Sequence, residues 1–107
     1  MPQFLVIQLA RFGDLVQSKR LIRTLEGRGT VHLCIDPSLA GVAALLYPDA
    51  VVHPLPVHRK PDAQSLAMTR ATCAALASAG FDAVYNLNHA GFNRALARLF
   101  APELVRC

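Results

Sequence analysis

The chain has no tryptophan, and aromatic residues make up only 7% of its 107 residues. No dense Lys/Arg block or interleaved basic and aromatic pattern is present, so no nucleic-acid partner is expected. Cysteine is nearly as sparse. Cys34, Cys73 and Cys107 lie far apart and form no C-x-x-C pair, which argues against a disulfide framework and a zinc site and for reduced, structural thiols. His32, His53 and His58 share no ligand-like spacing, and no metal is expected. Although 53% of the residues are apolar, no run approaches the roughly 18 to 20 that span a bilayer. The opening Met-Pro-Gln, followed at once by FLVIQLA, lacks the basic segment and small-residue cleavage site of a secretory signal. A cytoplasmic location is therefore expected. Glycine is also missing where a phosphate loop needs it: the loop after the first strand holds one glycine, not G-x-G-x-x-G, and no P-loop motif occurs.

What is present reads as alternating strands and helices. Phe4 to Leu9 is a continuous apolar run broken only by Gln8, as in a central parallel strand covered on both faces. From Asp14 to about Arg28, the residues Leu15, Ser18, Leu21, Ile22 and Leu25 share one helical stripe, with Lys19, Arg20, Arg23 and Glu26 elsewhere. Thr30 to Asp36 is a second strand closed by Pro37, and Ser38 to Leu46 a short helix. A third strand covers Ala50 to Leu55, followed by an exposed Pro/His/Arg/Lys connection from Pro56 to Asp62. Ala63 to Ser78 is a long helix whose inner stripe is expected at Leu66, Thr69, Cys73, Leu76 and Ala77, with Gly80 suited to its C-terminal cap. Phe81 to Leu87 is a fourth strand, Asn93 to Phe100 a helix ended by Pro102, and Leu104 to Arg106 the beginning of another strand. This alternation predicts a single α/β domain over residues 1–107, a Rossmann-like three-layer α/β/α arrangement with a mostly parallel sheet. Ligands of such sheets bind beyond the carboxyl ends of the strands, so the loops after strands one, two and four are the ones to inspect.

The loop Ala10-Arg11-Phe12-Gly13-Asp14 is the most informative of these. Gly13 permits a tight turn or a close backbone approach to a ligand. Asp14 opens a helix with Gln17 three residues on, a capping-box spacing that needs no catalytic role. Asp36 stands where an acidic residue holds a ribose in dinucleotide proteins, but without the glycines it reads as a strand-end cap before Pro37. The formal charge of +4 is open to two readings, an anionic partner or ordinary solvation.

The stretch FLVIQLARFGDLVQSKRLIRTLEGRG resembles the opening of glycosyltransferase family 9, the lipopolysaccharide heptosyltransferases, in which an apolar strand leads into Gly-Asp and a helix. CIDPSLAGVAALLYPDAVVHPLPV is similar to that family's strand, Pro-containing turn, short helix and return strand, and GFDAVYNLNHAGFNRALARLFAP to its "FD-x-x-x-x-L" strand and following helix. The resemblance covers nearly the whole chain, and Gly13-Asp14 and Phe81-Asp82 are its distinctive motifs. It implies the N-terminal, acceptor-side half of a GT-B fold, with a C-terminal nucleotide-sugar domain outside this chain. The implied activity is inverting transfer of a heptose or related sugar from a nucleotide sugar to a lipopolysaccharide core-type acceptor, without metal. The donor, ADP-heptose or similar, would be held by the second domain, and no cofactor is implied for this one. Asp14 would be the catalytic general base, and Gly13, Arg11, Lys19, Asn86, Asn88 and His89 the acceptor-binding residues, with Arg23 extending a basic rim. Implied partners are a lipid-linked saccharide acceptor and the donor domain, at the cytoplasmic side of the inner membrane with peripheral membrane contact. A donor-docking surface left uncovered would also favour a dimer.

The chain departs from the family at Ala10 and Arg11, where small hydroxyl residues are common before Gly-Asp, and at Ser18-Lys19-Arg20, where Thr-x-Pro is common. Asn86-Leu87-Asn88-His89 stands in place of an Asp-Leu-Gln-Gly type of sequence. A different acceptor and a scaffold that has lost activity are both compatible with these departures. A flavodoxin-like or receiver-like binding domain without catalysis is the alternative from another class. A receiver would carry paired acidic residues after strand one and an Asp after strand three, where this chain has His53-Pro54-Leu55-Pro56.

Overall fold

The computed structural model of the protein describes residues 2–8, 18–56, 62–86, 100 and 102–106. Within them the elements are β1 (Gln3–Ile7), α1 (Lys19–Glu26), β2 (Thr30–Ile35), α2 (Ala40–Leu46), β3 (Val51–Pro54), α3 (Ala63–Ser78), β4 (Ala83–Asn86) and β5 (Val105–Arg106). Short 3-10 turns cover Pro37–Leu39 and Pro102–Leu104. The five strands form one sheet in the order β3-β2-β1-β4-β5, and every neighbouring pair is parallel. The Rossmann-like α/β class read from the sequence is the architecture observed.

A central parallel strand has to be apolar on both faces, because helices cover each side. In β1 the side chains of Phe4 and Val6 enter one core cluster with Val31, Leu33, Ile35, Ile22, Leu25, Ala43 and Tyr47. Leu5 and Ile7 enter a second, with Cys34, Leu55, Leu76, Phe81 and Val84. The first cluster lies beneath α1 and α2 and the second beneath α3, which gives three layers. Each fully buried Leu, Ile or Val contributes about 1.5–3 kcal/mol from burial, so both clusters are substantial terms in stability.

Two features join the elements at the amino end of the sheet. Asp82 and Gln3 bond each other twice: the Asp82 N–H donates to the Gln3 carbonyl at 2.7 Å, and the Gln3 N–H donates to Asp82 Oδ2 at 2.7 Å. Gly29 faces the Pro2 carbonyl so closely that a Cβ would stand 2.3 Å from its oxygen.

The long helix α3 starts as its composition dictates. Asp62 Oδ1 accepts from the Ser65 N–H at 2.7 Å and the Asp62 N–H donates to Ser65 Oγ at 2.9 Å, a reciprocal capping box. Its inward stripe differs from the expected one. Leu66, at 51% exposure, and Ala77 face outward, while Ser65, Met68, Thr69, Thr72, Cys73 and Leu76 turn toward the sheet. Its six alanines all lie on the exposed face while Ser65, Thr69 and Thr72 lie on the inner one, so hydrophobicity alone does not fix its rotation. Thr72 does so through a hydrogen bond, its Oγ1 donating to the Pro54 carbonyl at 2.6 Å.

The C-terminal cap differs too. It falls on Ala79 in extended conformation, so Gly80 is not used in a left-handed cap. The start of the first helix at Asp14, with Leu15, and the helix expected over Asn93 to Phe100 fall outside the described residues apart from Phe100. Among the described residues, no helix is long and apolar enough to cross a membrane.

Candidate functional site at the carboxyl edge of the sheet

The strand order reverses at β1. The chain moves outward from β1 to β2 and β3, then returns to β1's other side to place β4 and β5. Between the carboxyl ends of β1 and β4, connections depart in opposite directions, and such a switch point is where open α/β sheets bind their ligands. Ile7 is in register with Asn86 on one side and Cys34 on the other, so β1 and β4 end side by side.

The edge is polar at depth. Gln8 follows β1 directly, is 5% exposed, and its Nε2 donates to Ser18 Oγ at 2.9 Å. Burying an amide is costly unless it is hydrogen-bonded, and this bond spans from the end of β1 to the start of α1. It closes the segment 9–17 at its base. Gln8 is also held by its backbone, the N–H donating to the Cys34 carbonyl at 3.0 Å. Asn86 ends β4 and is buried, with partners of its own. Asp36, at the end of β2, is buried and receives the Ser38 N–H and hydroxyl on Oδ2, so it caps the Pro37–Leu39 turn as the sequence suggests.

Of the residues named from sequence, Lys19 and Asn86 are described. Lys19 is exposed in the first turn of α1, and Arg23 is exposed one turn further on the same helix. The N-cap of α1 as described is Ser18, in helical conformation and without a side-chain capping bond; its hydroxyl faces Gln8 instead. Arg11, Gly13, Asp14, Asn88 and His89 lie outside the described residues. The Gln8–Ser18 pair was not singled out from sequence as a site feature. Its signal was a lone amide in an apolar strand and a lone hydroxyl on an apolar helical stripe, two polar residues that need each other.

A second polar group lies on the α3 face of the sheet, running from Gln3 at the start of β1 to His53, level with Cys34, on β3. His32 in β2 and His53 in β3 are hydrogen-bonded, Nδ1 to Nε2, at 2.9 Å, and His32 Nε2 meets Gln3 Oε1 at 2.7 Å. The Phe81 ring lies edge-on to His32 with centroids 5.0 Å apart. Burial lowers both imidazole pKa values from their ordinary range, and for His53 the neighbouring His32 adds to the effect. Sequence spacing did not find this pair, since 21 residues separate its members. Parallel registration of β2 with β3 brings them together.

Cys34 and Cys73 are free thiols in the same layer. Burial, and secondarily the neighbouring Cys73, push the Cys34 thiol up to about 12, so it stays protonated and inert. Cys107 lies outside the described residues. Among the described residues, no three His, Cys, Asp or Glu side chains are grouped to hold a metal ion. An open depression of about 470 Å³ at the amino end is lined by Pro2, Phe4, Arg28, Asp82, Ala83 and Tyr85. Its Arg28 lies over the Phe4 ring at 5.9 Å, and Asp82 Oδ2 accepts the Gln3 N–H.

Topology and switch point define a Rossmann-like α/β domain with a polar carboxyl edge. In comparisons with known proteins, the chain finds no significant match among family models, curated proteins or solved structures.

Proposed function

We propose that the chain is the acceptor-side domain of an inverting glycosyltransferase of the heptosyltransferase type, acting on a lipopolysaccharide core-type saccharide. The observation that carries the reading is the switch point between β1 and β4. The segments that leave it, 9–17 and 87–99, hold Arg11, Gly13, Asp14, Asn88 and His89. Lys19 and Asn86 stand at their described margins. Of the residues that the family resemblance assigns to acceptor or catalysis, Asn86 ends β4 level with Ile7, and Lys19 follows Ser18, which bonds Gln8 at the end of β1. The support is that both described members border the switch point.

In this reading Asp14 accepts the proton of the acceptor hydroxyl as its oxygen attacks the anomeric carbon of the donor sugar and the nucleotide diphosphate departs. A positioned general base of this kind contributes about 10²- to 10⁴-fold. Lys19 and Arg23, both exposed on α1, supply positive charge toward acceptor phosphates. The donor nucleotide sugar belongs to a second domain beyond this chain. Positioning the donor against the acceptor is worth up to roughly 7–11 kcal/mol, so this domain alone should bind acceptor weakly and turn over nothing. The working place is the cytoplasmic membrane face, where the domain meets a lipid-linked acceptor.

The test is transfer from ADP-heptose to a heptose-deficient core acceptor by the protein carrying both domains, compared with its Asp14→Ala variant. A loss of 10²-fold or more in turnover with an unchanged melting temperature supports the base. Full activity with a lowered melting temperature would make Asp14 a helix cap, worth about 0.5–2 kcal/mol, and remove the mechanism.

A further inference from the structure

The contact between His32 and His53 is a hydrogen bond along the line joining two imidazole edges. The rings are nearly coplanar, 19° apart, with centroids 5.2 Å from each other and nitrogens at 2.9 Å. Rings stacked face to face would not bring two nitrogens this close without overlap, whereas 2.9 Å is an ordinary hydrogen-bond distance. A metal ion is also a poor fit: the two nitrogens point at each other rather than converging on a third point, and no third ligand of the usual types joins them among the described residues.

Such a bond holds a single hydrogen. With Gln3 Oε1 accepting from His32 Nε2–H at 2.7 Å, His32 Nδ1 carries a lone pair and His53 Nε2–H donates to it. Reversing the glutamine amide reverses the direction of the whole chain but leaves one hydrogen between the two histidines. One added proton goes to an outer nitrogen, His53 Nδ1 in the first polarity, and the bond survives. A second makes both rings imidazolium, places two hydrogens in a 2.9 Å gap and sets two positive charges face to face.

We propose that Gln3, His32 and His53 form a one-proton latch that ties the edge strand β3 to β2 and β1, and that a second proton opens it and frees β3. The latch crosses all three strands, and His32 and His53 are diagonal neighbours across the β2–β3 register. At the edge, β3 is four residues long and has a strand neighbour on one side only, so β2 alone supplies its ladder. The other described groups near the latch do not neutralise a second proton. Gln3 on β1 is uncharged, Cys34 on β2 and Cys73 on α3 are thiols held protonated, and Phe81 before β4 is apolar. Asp82 is the nearby carboxylate that the contacts show, and it accepts the Gln3 backbone N–H. Burial acts in the same direction, since it already depresses both imidazoles.

The sign follows from proton counts. In the unfolded chain both histidines take up a proton as pH falls through about 6.5, whereas the closed latch admits one, so acid favours the open form.

The experiment is side-chain nitrogen NMR of ¹⁵N-histidine-labelled protein from pH 7.5 to 4.5, with amide hydrogen exchange followed over the same range. The latch predicts one shared proton taken up by the His32–His53 pair while β3 stays protected. At lower pH, β3 amides, and the Leu55 N–H that bonds the Ile35 carbonyl at 2.8 Å, should exchange at least tenfold faster after correction for intrinsic rates. The β1 and β4 amides should keep their protection. In the His53→Phe variant the acid-induced change at β3 should vanish. Independent titration of the two rings near their ordinary value overturns the proposal. So does β3 protection unaffected by pH, or a loss of protection that strikes the whole sheet at once. The wild-type measurements stand by themselves if the variant does not fold.

Discussion

Asp82 and Gln3 hold each other by two hydrogen bonds, both at 2.7 Å: the Asp82 N–H donates to the Gln3 carbonyl and the Gln3 N–H to the Asp82 carboxylate. The Asp82 carboxylate stands in for a strand partner at the point where β4 has not yet begun, so it extends the β1–β4 pairing by one step. This explains in structural terms why an Asp follows Phe81 in this chain, while Phe81 itself packs into the core beneath α3.

Replacing that carboxylate tests the clamp. Asp82→Ala should destabilise by about 1–2 kcal/mol, a hydrogen bond to a charged group discounted for its exposed setting, while Asp82→Asn should lose less because an acceptor oxygen remains. For a domain of this size each kcal/mol lowers the melting temperature by about 4–8 °C, which thermal unfolding by circular dichroism resolves. Equal melting temperatures for Asp82→Ala and the parent would show that the side-chain half of the clamp is idle.

Gly29 is fixed by space. An added Cβ would meet the Pro2 oxygen at 2.3 Å and the Phe4 ring at 3.1 Å, and the nearer obstacle is backbone. Gly29→Ala should therefore cost about 1–3 kcal/mol by overpacking. Urea unfolding should show a lower midpoint with an unchanged slope. A midpoint equal to the parent's would mean that residue 2 moves aside freely.

The rotation of α3 makes a paired prediction. Leu76 is fully buried and Leu66 is 51% exposed, although both are leucines of one helix. Leu76→Ala should cost about 2–5 kcal/mol, and Leu66→Ala should stay within about 0.5 kcal/mol. Thr72→Val, which keeps the shape but leaves the Pro54 carbonyl without its 2.6 Å donor, should fall between them at about 1–3 kcal/mol. Comparable losses at Leu66 and Leu76 would show the helix turned otherwise.

Cys34 gives a pH dependence of known sign. Its thiol is raised from 9.0 to about 12 in the folded protein, so above pH 9 the unfolded chain gives up a proton that the folded chain keeps. Stability should fall as pH rises from about 9 toward 12. Cys34→Ala should flatten that slope. In the native protein at neutral pH, iodoacetamide should modify the half-buried Cys73 well before Cys34, read by peptide mass spectrometry. Faster labelling of Cys34 would contradict its burial.

The element order was legible because period and punctuation agreed. The apolar run of β1, the stripe Leu21-Ile22-Leu25 and the Asp36-Pro37 stop each reflect a local rule, and the structure keeps all three. The stripe of α3 was not legible, because alanines fill the exposed face while Ser65, Thr69 and Thr72 lie on the inner one, and Thr72 sets the angle through a partner on β3. Gly80 failed as a cap for a similar reason: the chain turns in extended conformation at Ala79 and needs no left-handed residue.

Of the candidate site, the sequence by itself determined the residue types and their order: a Gly-Asp after the first strand, an Asn at the end of the fourth and basic residues on the first helix. It did so because loop and cap chemistry is local. Only the tertiary structure decided what lies beside what. Bringing β4 back against β1 puts Asn86 level with Ile7, the base of the segment after β1 is closed by Gln8 on Ser18, and parallel β2–β3 registration sets His53 against His32. Those contacts join residues 10 and 21 positions apart in the last two cases, and no periodicity encodes them, since they exist only once the sheet has assembled.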